Sequence, residues 1–287
     1  SRFRRNRTAK PGFFICLAAV LYLITGCAKL SPAARLTQAH DLAIQSGWQA
    51  TRLQAGRFEL LALHPPPTNT ETLTLYIEGD GRAWLDPRTP ASDPTPLDPL
   101  ALRLALKEGQ AVSAYLARPC QYVPDSIRAQ CSAADWTQAR FSEEIVDAMN
   151  LAVDAMKQRF GARSIRLVGY SGGAAVAALV AARRQDVVQL VSVAGVLDHV
   201  GWAQGLEVSP LSGSLNPADY WQVLQHLPQR HFVGGRDRQT GMHGIAGYLA
   251  RFPPGLAPEV VVIDDFDHAC CWEAAWPISS VSSDSAR

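Results

Sequence analysis

Residues 164–179 constrain the fold more than any other stretch. Ser164-Ile165-Arg166-Leu167-Val168 has the composition of a short strand, and Ala174-Ala175-Val176-Ala177-Ala178-Leu179 that of a buried helix. Between them runs Gly169-Tyr170-Ser171-Gly172-Gly173. A serine on so tight a strand-to-helix turn needs small neighbours, because its backbone must bend where side chains would collide. Such a turn lifts the hydroxyl clear of the chain. It also leaves the Gly172 N–H at a helix N-terminus, where it can face negative charge. Glycine and serine are common, so the flanking strand and helix are what give the pattern its meaning.

The same alternation extends along the chain. Strand signals occupy 58–63, 72–78, 111–117, 187–194, 230–235 and 259–264, and the 187–194 run is continuously apolar, as in a strand buried on both faces. Helical periodicity covers 31–47, 97–107, 141–160, 216–225 and 242–252. The clearest case is 141–160. Ser142 caps it, Glu143 and Glu144 suit its first turn, and Ile145, Met149, Ala152, Val153, Met156 and Phe160 form one stripe ended by Gly161. Strands alternating with helices predict one α/β domain over residues 31–276, with a mainly parallel central sheet and helices on both faces. The serine-rich stretch 279–287 reads as a frayed tail.

Three polar residues follow separate strands. Ser171 follows 164–168, Asp237 follows 230–235 and His268 follows 259–264. Open α/β sheets build their sites at these C-terminal strand ends. Asp198, just past 187–194, competes with Asp237 for the acidic role. The order Ser, Asp, His across alternating elements resembles that of the α/β-hydrolases, from about residue 58 to 276. The resemblance implies a three-layer fold and acyl transfer. Ser171 would be the nucleophile, His268 the base, and Asp237 the group that holds the imidazole. It also implies that Glu78-Gly79-Asp80-Gly81, after the 72–78 strand, donates to the oxyanion through the Asp80 N–H, alongside Gly172. Many relatives carry a histidine where this chain has Glu78; a salt bridge from Glu78 to Arg82 would support the loop. A hairpin at Asp80-Gly81 is the competing reading, and the prolines at 87, 90, 94, 96 and 99 argue against a returning strand. The polar, proline-rich insert 83–99 favours a short or polar acyl substrate over a long chain.

The first residues carry a different message. Arg2, Arg4, Arg5, Arg7 and Lys10 precede an apolar run, 13–24, too short to span a bilayer. Ile24-Thr25-Gly26-Cys27 then resembles the bacterial lipobox, so 1–27 reads as a lipoprotein signal peptide with Cys27 as the lipid attachment site. Ala28 favours the outer membrane, facing the periplasm. In an oxidising compartment Cys120 and Cys131 can close a short loop as a disulfide, whereas Cys270 and Cys271 can pair with each other, bond elsewhere or stay free. The run Asp267-His268-Ala269-Cys270-Cys271-Trp272, the lipobox and the cysteine loop together resemble exported bacterial hydrolase lipoproteins. A formal net charge of +1 leaves no basic excess for nucleic acid. No spacing suits a metal, and no cofactor motif is present. The partners expected are a small acyl substrate and a membrane reached through Cys27. A serine hydrolase is the leading reading; a binding lipoprotein or a peptidase on the same fold are the alternatives.

Overall fold

The computed structural model describes residues 30–109 and 111–278. The signal-peptide reading, with Cys27, and the 279–287 tail lie outside them. The described residues form ten strands: β1 (Gln49–Ala55), β2 (Phe58–His64), β3 (Thr72–Ile77), β4 (Trp84–Asp86), β5 (Thr89–Pro90), β6 (Ser113–Leu116), β7 (Ser164–Tyr170), β8 (Val187–Val193), β9 (Gln229–Gly234) and β10 (Glu259–Ile263). Eight form one sheet in the order β1-β2-β6-β3-β7-β8-β9-β10. The β1–β2 and β2–β6 pairs are antiparallel; every later pair is parallel. Strand β7, which leads into Ser171, lies mid-sheet, between β3 and β8, so side chains beyond its C-terminal end have neighbours on both sides.

Alternate residues of the central strands point to opposite layers. Leu73, Leu75, Leu167 and Leu190 pack with Ile145, Met149 and Met156 of helix Glu143–Arg159 and with the alanines of helix Gly172–Ala181. Tyr76, Tyr115, Val168, Val191 and Phe232 pack instead with Leu100–Lys107, with Ala39 and Ala43 of Pro32–Gln45, and with Trp272 and Trp276. Helices therefore cover both faces, which is the three-layer arrangement expected from the sequence.

Two local expectations need correction, and one strand carried no sequence signal. The first strand, β1, carries no apolar run; it is an edge strand whose only buried residues are Leu53 and Ala55, joined to β2 by Gly56 at φ 62°. A returning strand does form after the 78–81 loop: Trp84 pairs with Pro90 in a two-stranded ribbon. The proline lies at the end of the ladder, where its missing N–H costs little. The helix expected over 242–252 is broken into Gly241–Gly244 and Ala246–Leu249. The Gly244 carbonyl accepts from the N–H groups of Leu197 and Asp198, so it serves the end of β8 rather than a helix.

Candidate active site

Ser171 sits at the hinge between β7 and helix Gly172–Ala181 with φ 52°, a left-handed conformation that side chains rarely adopt. Close approach explains its glycine neighbour at 173, where a Cβ would run into the carbonyls of Ile77 and Glu78 at the end of β3. The turn is thereby pressed against the loop that follows β3. Neither the Asp80 N–H nor the Gly172 N–H donates to a protein acceptor among the described residues.

The three separated side chains converge at this point. His268 Nε2 lies 3.0 Å from Ser171 Oγ, and His268 Nδ1 lies 2.9 Å from Asp237 Oδ2. With Nδ1 protonated, the ring donates to the carboxylate and its other nitrogen accepts from the serine hydroxyl. The Asp237 side chain is fully buried and that of His268 nearly so. Burial alone would raise the Asp237 carboxyl. The hydrogen bond and charge of His268, with donation from Thr240, outweigh it and hold the carboxyl well below the usual range.

Asp198 is elsewhere. Its Oδ1 accepts from Val200 N at 3.2 Å and from Asn216 Nδ2 at 2.8 Å, capping helix His199–Gly205. His199 begins that helix and is buried. His231 lies in β9 as expected; it is buried beside Ser192 (2.8 Å), and burial pulls it down to about 3. His64 is buried at the end of β2, with Nε2 2.9 Å from Thr51 Oγ1.

Glu78 does not pair with Arg82. Its Oε1 accepts from Gly79 N (2.9 Å) and its Oε2 from Tyr115 O–H (3.1 Å), in full burial that pushes the carboxyl up to about 7. Cys120 and Cys131 are joined by a disulfide. The loop they close carries Gln121, whose Nε2 donates to the Gly79 carbonyl at 2.9 Å and so braces the loop bearing Asp80. Cys270 and Cys271 are bonded to each other. Asp267 organises that turn by accepting from Ala269 N (2.8 Å) and Cys270 N (2.7 Å).

Two further residues shape the site and escaped the sequence. Thr240 Oγ1 lies 2.6 Å from Asp237 Oδ2 and 3.3 Å from His268 Nδ1, while Asp237 Oδ1 accepts from Gln239 N (2.8 Å) and Thr240 N (3.0 Å). The Asp-x-x-Thr spacing, typical of a side-chain-closed turn, was the available signal. Tyr170 O–H donates to the His268 carbonyl at 3.2 Å and its ring lies 5.3 Å from the imidazole, steadying the histidine loop.

No protein-family model and no curated protein matches this sequence. Solved structures do match. An esterase of Pyrococcus furiosus superposes with a TM-score of 0.53 at 16% identity, over 80% of this chain and 85% of its own. The esterase domain of a Rhodothermus marinus protein gives 0.52 at 13% identity, over 77% and 90%. An alpha-beta serine hydrolase homologue from Coxiella burnetii gives 0.51 at 15% identity, over 77% and 89%. The chain has the α/β-hydrolase fold. In that fold the strand order, the elbow after β7 and the histidine loop after β10 bring Ser171 and His268 to the same end of the sheet. A fold hosts many chemistries, so activity has to be argued from the site.

Proposed function

We propose that this chain is a serine hydrolase that cleaves an ester or related acyl bond through Ser171, His268 and Asp237. The observation that carries the reading is the continuous hydrogen-bonded line from Ser171 Oγ through His268 to Asp237 Oδ2, at 3.0 and 2.9 Å. As Ser171 attacks a carbonyl carbon, His268 Nε2 takes its proton, and buried Asp237 offsets the imidazolium charge. The N–H groups of Asp80 and Gly172 receive the oxyanion. His268 returns the proton to the leaving group. Water, activated by the same imidazole, then releases the acid and restores Ser171. The esterase neighbours support acyl chemistry by fold analogy only.

We further propose that the enzyme is exported and held at the bacterial cell envelope by lipid on Cys27, on the outer membrane facing the periplasm; this rests on the sequence of residues 1–27. The Cys120–Cys131 disulfide supports an oxidising compartment. Among the described residues no helix is long and apolar enough to cross a membrane.

The test is hydrolysis of nitrophenyl esters of rising acyl length by the wild type and by Ser171→Ala. Turnover that the substitution abolishes supports the reading, with short chains preferred. A folded wild type that cleaves no ester or thioester favours the binding-lipoprotein alternative, and a preference for long chains overturns the substrate-length expectation.

A further inference from the structure

A buried cationic cluster lies between the loop bearing Asp80 and the loop bearing Asp237, and the acyl mechanism makes no use of it. Phe141 is its hub. The guanidinium carbons of Arg118 and Arg140 lie 5.4 and 5.7 Å from its ring centroid, and the His199 ring lies 6.1 Å away. Arg140 also sits 5.6 Å over Trp202, whose indole N–H donates at 2.7 Å to the carbonyl of Gln239, two residues past Asp237. On its other side the cluster meets Asp80, at 3.3 Å from Arg118 and 2.9 Å from Arg140. The Asp80 carboxylate packs on Gly172, where a Cβ would overlap it. The arginines thus join both loops that flank Ser171.

The charges do not balance. Among the described residues Asp80 is the one carboxylate within ion-pair distance of either guanidinium. Asp135, which lines a small space with both arginines, is paired with Arg57 at 2.9 Å. Burial lifts the Glu78 carboxyl to about 7, which favours its neutral form. The side chains of Arg118 and Arg140 are 4% and 7% exposed, and guanidinium groups stay protonated in proteins. Buried Nε of Arg118, Nε of Arg140 and Nε2 of His199 all lack a partner. Uncompensated buried charge and unmade buried hydrogen bonds both cost free energy. An entering anion relieves both.

We propose that Arg140, backed by Arg118 and His199, forms a subsite for an anionic oxygen group, carboxylate or phosphate, carried by the acyl substrate. The proposal rests on the acyl-hydrolase reading and narrows its substrate class. A planar guanidinium held over Trp202 and Phe141 suits two-pronged recognition of such groups. The space beside Trp136, bounded by Asp80, Arg118 and Arg140, is about 10 Å³, room for one water.

Two matched substrate pairs test it: the 4-nitrophenyl half-ester of glutarate against 4-nitrophenyl valerate, and monobutyryl glycerol 3-phosphate against monobutyryl glycerol. The wild type is expected to prefer the anionic member of at least one pair by tenfold or more in kcat/KM, and the pair identifies carboxylate or phosphate. Arg140→Gln should cut that ratio at least tenfold, whatever it does to the neutral ester, and Arg140→Lys should restore part of it. Should Arg140→Gln fail to fold, glutarate or inorganic phosphate is tested on the wild type at matched ionic strength. Either should slow fluorophosphonate labelling of Ser171 more than chloride does. No anionic preference in either pair, an unchanged ratio in Arg140→Gln, or no protection in the wild type overturns the subsite. If the wild type cleaves none of the four substrates, the hydrolase reading falls with it; if it cleaves each pair equally, only the subsite does.

Discussion

Replacing Asp237 by asparagine keeps its shape and removes its charge. Oδ1 already accepts from the N–H groups of Gln239 and Thr240, so the new amide will keep its oxygen there. Its NH2 then occupies the Oδ2 position, facing His268 Nδ1. Donor meets donor, and the imidazole is pushed into the tautomer that cannot accept the Ser171 proton. The lost charge adds to this. Unit charges 2.9 Å apart interact by about 6 kcal/mol at an effective dielectric near 20. At 1.36 kcal/mol per decade that corresponds to roughly 10⁴ in rate. Asp237→Asn should therefore lose about three to four decades of kcat/KM on a short nitrophenyl ester, with thermal melts confirming the fold. Asp198→Asn is the matched control. Asparagine caps helices as well as aspartate and keeps an acceptor for Val200 N, so its activity should stay within about threefold of the wild type. An Asp237→Asn enzyme within tenfold of the wild type, beside a crippled Asp198→Asn, would refute the reasoning and return the acidic role to Asp198.

Thr240→Val removes a hydroxyl 2.6 Å from Asp237 Oδ2, whose one proton serves either that carboxylate or the Ala194 carbonyl at 3.0 Å. Hydrogen bonds to charged groups are worth about 1.5–3 kcal/mol, so kcat should fall about 10- to 100-fold with little change in KM. Gly172→Ala forces the Asp80 carboxylate aside and with it the adjacent N–H. Steady-state rates should drop at least about tenfold through weaker oxyanion stabilisation. Glu78 has a folded-state pKa of about 7, above its unfolded value. Its neutral form stabilises the fold fully below about pH 4.5, and that contribution is lost as pH rises through about 7. Melting curves across pH 4.5–8.5 should show the wild type losing roughly 3 kcal/mol relative to Glu78→Gln; a constant difference contradicts the buried-carboxyl account.

The fold was largely legible because local signals agreed with one another. Strands β3 and β7 and the C-terminal half of β8 are largely buried on both faces, and the helix Glu143–Arg159 carries both a cap and a stripe. Edge strand β1 escaped because it has one solvent-facing side and few strand formers. Residues of the site that precede a glycine or follow a strand could be named, as Ser171 and His268 were. The choice between Asp237 and Asp198 could not be read, since each follows a strand and only the tertiary fold turns Asp198 into a helix cap. Tyr170, Arg118 and Arg140 act through neighbours far away in sequence, so no local pattern marked them, whereas Thr240 had only its Asp-x-x-Thr spacing to mark it. Glu78 looked like a surface partner for Arg82, because nothing in its neighbourhood announces Tyr115.

The central claim is that Ser171 is an activated nucleophile, and covalent labelling tests it most directly. Folded wild-type protein, treated with a fluorophosphonate at neutral pH and digested, should carry a single adduct on the peptide containing Ser171. Ser171→Ala should carry none, and Asp237→Asn should label far more slowly. A folded wild type that forms no adduct there, or an equal adduct on Ser171→Ala, contradicts the account.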